Sequence, residues 1–103
     1  MNTNTLEKLQ KALSKSPSHM PGDLLWKHLA DPITCKDGST LSIQASEGHY
    51  CTPRSNFGPY TEVEVWDCGE VPAWSEYGNG DEPYAYIPIE LVVEEIDRRG
   101  GIA

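Results

Sequence analysis

Leu6, Leu9 and Leu13 recur at i, i+3 and i+7 in an otherwise polar N-terminal stretch, with Ala12 beside them. That spacing predicts an amphipathic helix over roughly residues 4–15. Asn4 followed by Glu7 has the spacing of a capping box, with Asn in place of Ser or Thr. Ser14 to Asp23, "SKSPSHMPGD", is rich in helix breakers and reads as a connection. Asp23 is placed to cap a second short helix, "LLWKHLA", that would bury Leu24, Leu25 and Leu29.

The period then shortens to two. "ITC" and "TLSIQAS" flank "KDGS", and Asp37-Gly38 is a strong hairpin signal. Leu41, Ile43 and Ala45 alternate with Thr40, Ser42, Gln44 and Ser46, which predicts one buried and one wet face. "YTEVEVW" repeats the pattern, with Thr61, Val63 and Val65 on one face and Tyr60, Glu62, Glu64 and Trp66 on the other. A loop rich in Gly, Pro and aromatics follows from Gly69 to Pro83, and "YAYI" is a last short strand. Pro88 suits the first position of a helix, where its missing N–H costs nothing. Ile89, Val92, Val93 and Ile96 give that helix an apolar stripe, and Gly100 can take the left-handed cap. The expected fold is α+β: an antiparallel sheet of three to four strands packed against the C-terminal helix, with one or two N-terminal helices. At 103 residues, with no linker or repeat, the chain reads as a single domain over 1–103.

With 38% apolar and 23% charged residues, the chain has the composition of a folding sequence. No apolar run is long enough for a membrane span, and the polar N-terminus does not read as a secretory signal. Three cysteines, an odd number, point to thiols in a reducing cytoplasm. Charge is divided unevenly. Residues 1–59 hold five acids and six bases, a net of +1; residues 60–103 hold eleven acids and two bases, a net of −9; the sum is the formal −8. Direct binding of nucleic acid or an anionic membrane needs clustered Lys or Arg, so both are disfavoured, and a basic protein surface is the natural partner.

Catalytic templates fit poorly. Cys35, His49, Cys51 and Cys68 are zinc-ligand types, but the close pair is His49-x-Cys51 and no C-x2-C is present. A cysteine-phosphatase template requires His directly before Cys and Arg six residues after it; here Tyr50 intervenes, and Phe57 holds the later position. No P-loop, G-x-S-x-G, G-x-G-x-x-G or H-E-x-x-H occurs. No catalytic residue, metal or cofactor is therefore assigned. "EGHYCTPRSNFGPY" reads as an ordered loop in which Arg54 is held by carbonyls or a carboxylate, with Tyr50 and Tyr60 packed against it.

The acidic strand invites another reading. Glu62 and Glu64 share one strand face ~7 Å apart, with Trp66 on the same side. With Asp67, Glu70, Glu76, Asp81 and Glu82 they would spread carboxylates over one side of the molecule. Such an array could occupy Lys and Arg that otherwise hold DNA phosphates, with Trp66 or Trp74 as an apolar anchor. An ordinary solvated acidic face is the competing explanation.

"ITCKDGSTLSIQASEGHYCTPRSNFGPYTEVEVW" and the later "YAYIPIELVVEEIDRRGG" resemble a family of small acidic phage and prophage proteins, over roughly Ile33 to Gly101. The resemblance implies a non-enzymatic type I anti-CRISPR inhibitor; a monomer in the cytoplasm of the bacterial host is the accompanying expectation. It would bind a basic, DNA-holding surface of a CRISPR effector (Cascade) subunit and block target DNA. Two alternatives stand beside it: a structural or regulatory phage protein with no CRISPR role, and a small Cys/His metal-binding protein or thiol enzyme.

Overall fold

The computed structural model describes residues 3–14, 32–46, 48–55, 58–66, 68–78 and 83–103. The expected second helix around Leu24, Leu25 and Leu29 lies outside them. The elements run α1 (Thr3–Ser14), β1 (Ile33–Thr34), β2 (Thr40–Gln44), β3 (Glu62–Trp66), a 3-10 turn (Pro72–Trp74), β4 (Tyr84–Pro88) and α2 (Ile89–Arg98). The four strands form one antiparallel sheet in the order β1-β2-β3-β4, so the α+β expectation holds.

One core joins both helices to one face of the sheet. Leu9 and Leu13 of α1 and Ile89, Val92, Val93 and Ile96 of α2 meet Leu41, Ile43, Val63, Val65 and Ile87. Thr5 of α1 donates to Asp97 of α2 at 2.7 Å, tying the helices together. Gln10 clamps the backbone of Tyr60: its side-chain amide donates to Tyr60 O at 2.8 Å, and its oxygen accepts the Tyr60 N–H at 2.9 Å. α1 begins at Thr3, so Asn4 lies inside its first turn and is not its cap.

The β1–β2 hairpin closes through Lys36, Asp37 and Gly38, with Gly38 at φ 91°. A left-handed residue in a three-residue loop is the G1-bulge solution to joining twisted strands. Asp37 Oδ1 accepts the Ser39 N–H at 2.9 Å and Ser39 Oγ at 2.5 Å, which fixes the turn and holds the Asp37 carboxyl below its usual range. Pro88 is the last residue of β4 and the N-cap of α2, where a helical first position was expected. It pairs with Glu62 at ψ 131°, so strand runs into helix with no intervening loop. Thr61 O accepts the first helical N–H, that of Ile89, at 2.9 Å.

α2 ends in a Schellman motif, with Gly101 N–H to Ile96 O at 2.9 Å and Gly100 N–H to Asp97 O at 3.0 Å. Both glycines have positive φ, as the expected cap requires. The tail then turns back along β1: Cys35 bridges Ile102, and Ala103 N–H donates to Thr34 O at 2.9 Å. This pairing covers that sheet edge. Cys35, one residue beyond β1, is buried, and burial pushes its thiol up. No helix among the described residues is long and apolar enough to cross a membrane.

Candidate functional site

The second face of the sheet is not the open wet face that alternation suggests. Ser42 pairs with Trp66 and Gln44 with Glu64, so these four side chains share that face. The segment from Gly48 to Arg54 lies across it. Tyr50 N–H donates to Glu64 Oε2 at 3.0 Å, and Tyr50 O accepts the Tyr86 N–H at 3.1 Å. Thr52 bridges Glu62 in backbone pairing, and its hydroxyl donates to Glu62 Oε1 at 2.6 Å. Gln44, Ser46 and Glu64 are consequently buried where solvent was expected.

Beneath this segment lies a cleft of about 400 Å³. Ser42, Gln44 and Glu64 come from the sheet; Gly48, His49, Tyr50 and Trp66 form the walls. Glu64 is only 3% exposed. Its second oxygen accepts the Trp66 indole N–H in a short hydrogen bond. One carboxyl group thus holds both the Tyr50 backbone and the Trp66 indole. Tyr50 (50% exposed), Trp66 (43%) and Tyr86 (38%) are the exposed large apolar side chains among the described residues. The Tyr50 and Tyr86 rings lie 5.9 Å apart. Tyr86 has φ +54°, at the irregularity in the β3–β4 register. A bulky residue in the left-handed region costs about 1–3 kcal/mol, and such outliers gather at functional sites. The Arg54 guanidinium sits 5.8 Å from the centre of the Tyr50 ring.

His49 is half-buried, and its Nδ1 lies 2.7 Å from Ser46 Oγ. Burial pushes its imidazole below the usual range, against the opposing pull of Glu64. It is therefore a neutral wall of the cleft at pH 7. Because its folded-state pKa is depressed, the unfolded chain takes up its proton first as pH falls. Stability contributed by neutral His49 should be full above the ordinary value of 6.5 and decline below it. Urea titrations at pH 7.5 and pH 5.5 should show a loss at the lower pH that is smaller in His49→Gln. An equal loss in both proteins would contradict this placement.

Cys51 is buried, and its single S–H is shared between Ser46 O at 3.1 Å and Pro53 O at 3.3 Å. Burial pushes it up, away from the thiolate a nucleophile needs. Among the described residues no three His, Cys, Asp or Glu side chains gather as metal ligands. Tyr60, expected on the wet face beside Arg54, is in the core, and Thr61, expected in the core, is exposed. The strand begins only at Glu62, so its period does not extend back through residues 60–61. Tyr60 donates its hydroxyl to Ser55 O at 2.8 Å, and burial pushes its pKa up to about 12.

The expected acidic contact set is divided by the fold. Trp66 is exposed on the cleft face, Glu62 is half-buried against Thr52, and Glu70 and Glu76 are exposed in the β3–β4 connection. Glu64 is a buried organising group rather than a surface contact. Trp74 is no surface anchor: it is 1% exposed and packs edge-on against Tyr84, ring centroids 5.4 Å apart. The turn at Pro72–Trp74 carries Val71 and Trp74 inward, and the Val71 N–H donates to the Tyr84 hydroxyl at 2.9 Å. Asp67, Asp81 and Glu82 lie outside the described residues. Tyr50, His49 and Tyr86 had no place in the expected set, although "GHYC" and the alternation in "YAYI" held the signal. Comparison with family models, with curated proteins and with solved structures finds no match to this chain.

Proposed function

We propose that this protein is a non-enzymatic inhibitor that binds a basic, DNA-holding surface of a type I CRISPR effector subunit and keeps target DNA out. The observation that carries the reading is the arrangement of charge. Both bases of residues 60–103 close on one acid: Arg98 bonds Glu95 at 2.5 Å and Arg99 bonds it at 2.7 Å. Burial alone would raise the Glu95 carboxyl, but the hydrogen bonds and charges of the two arginines hold it below its usual range. The two cations of the acidic half thus gather on Glu95 at the C-terminal end of α2, while Glu70, Glu76, Glu90 and Glu94 face solvent with no cation of that half beside them. An excess of exposed carboxylates steers a basic partner and repels nucleic acid. The resemblance of residues 33–101 to small acidic phage proteins supports the CRISPR effector as that partner.

The test is binding to a purified type I effector as salt is raised. The Kd should rise about tenfold or more between about 0.05 and 0.2 M salt, as screening shortens the reach of the carboxylates. Absence of binding, or an affinity indifferent to salt, would overturn the reading.

A further inference from the structure

The cleft pairs flat aromatic walls with a buried carboxyl group whose described partners are all neutral. Glu64 receives the Tyr50 amide and the Trp66 indole, and no cationic side chain among the described residues lies within ion-pair distance of it. A buried acidic group satisfied only by neutral donors retains an attraction for a cation. The walls suit one cation in particular. Trp and Tyr faces bind guanidinium by stacking and by cation–π attraction. The protein already places a guanidinium near one of these rings, with Arg54 5.8 Å from the centre of Tyr50. A volume of about 400 Å³ is at the small end for a ligand site. Ser42 lines the same cleft, its hydroxyl accepting the Gln44 side-chain amide at 2.9 Å. Phosphate-bearing ligands are disfavoured, because the lining has no Lys or Arg among the described residues.

We propose that this cleft receives an arginine side chain of the protein partner, stacked on Trp66 and Tyr50 and drawn by Glu64 at the floor. This rests on the partner-binding reading for the source of the arginine and gives it a specific point of attachment. Exposed acids set the long-range attraction, and the cleft selects a planar cation at contact. The strained backbone at Tyr86, whose N–H holds Tyr50 in place, keeps the wall preorganised.

The test uses the whole protein, labelled with nitrogen-15, and a blocked Gly-Arg-Gly peptide. The Trp66 indole and Tyr50 amide resonances should shift saturably with the arginine peptide. The citrulline peptide, of similar shape but uncharged, should bind at least about tenfold more weakly. No shift, or equal shifts with both peptides, would overturn the proposal. A second arm measures Trp66→Ala against the purified effector, with its fold checked by denaturation, and should show about a tenfold rise in Kd. If Trp66→Ala binds normally while Glu70→Lys with Glu76→Lys does not, the cleft proposal fails and the acidic-surface reading stands. If neither change weakens binding, or no effector binds, the functional reading fails, and the peptide titration alone decides the cleft.

Discussion

Replacing Val93 with aspartate should destabilise the protein by more than about 3 kcal/mol, because it puts an unpaired charge into the core. Val93 is fully buried on the inner stripe of α2, in one cluster with Val92 and Ile96 and with Val63 and Val65 of the sheet. The substituted carboxyl group would find only apolar neighbours on that stripe. Glu94, one residue on, is exposed. Glu94→Lys should therefore change stability by within about 0.5 kcal/mol. Urea denaturation of the two variants measures the contrast. An unchanged midpoint for Val93→Asp would mean that α2 is peripheral to the fold, which would undo the layer arrangement described above.

Reversing Glu70 and Glu76 together to lysine should weaken partner binding by about 2–4 kcal/mol, since each change replaces attraction with like-charge repulsion. Both side chains are exposed, so the fold should tolerate each change at a cost within about 0.5 kcal/mol. Glu64 is unsuited to the same experiment, because its reversal would remove the acceptor that holds Tyr50 and Trp66. The parallel variant, Glu90→Lys with Glu94→Lys, probes the outer face of α2, on the opposite side of the sheet from the cleft. Loss of affinity in the β3–β4 variant, with little change in the α2 variant, would place the partner against the β3–β4 connection. The opposite pattern would move it to the helix face. Asp97 is a poor probe of that face, because it accepts the Thr5 hydroxyl at 2.7 Å between the two helices.

Local periodicity made the elements legible. The apolar stripe of α2, the alternation of Leu41, Ile43 and Ala45, and the Asp37-Gly38 turn each span only a few residues of chain and need no distant partner to be read. The candidate site was less legible, because it depends on contacts across the chain. Alternation assigns Gln44 and Glu64 to the face opposite the core, which is correct, but it does not reveal that residues 48–54 cover that face. The contact that buries Glu64 joins residues 50 and 64, and the one that positions Tyr50 joins residues 50 and 86. Trp74 followed the same logic in reverse. Its acidic, Gly- and Pro-rich surroundings suggested a surface loop, whereas a single turn of 3-10 helix carries the indole into the core against Tyr84. The acidic bias was visible in the sequence, and the pairing of Arg98 and Arg99 with Glu95 then sharpened it.

Competition tests the central claim most directly. The purified type I effector is saturated with this protein and titrated with its target DNA duplex, and the affinity of each ligand is measured in the presence of the other. If the acidic surface occupies the site that holds DNA, each ligand should raise the apparent Kd of the other in proportion to its own concentration, and the duplex should displace the protein completely. A ternary complex in which DNA and protein bind together without mutual loss of affinity would contradict the account.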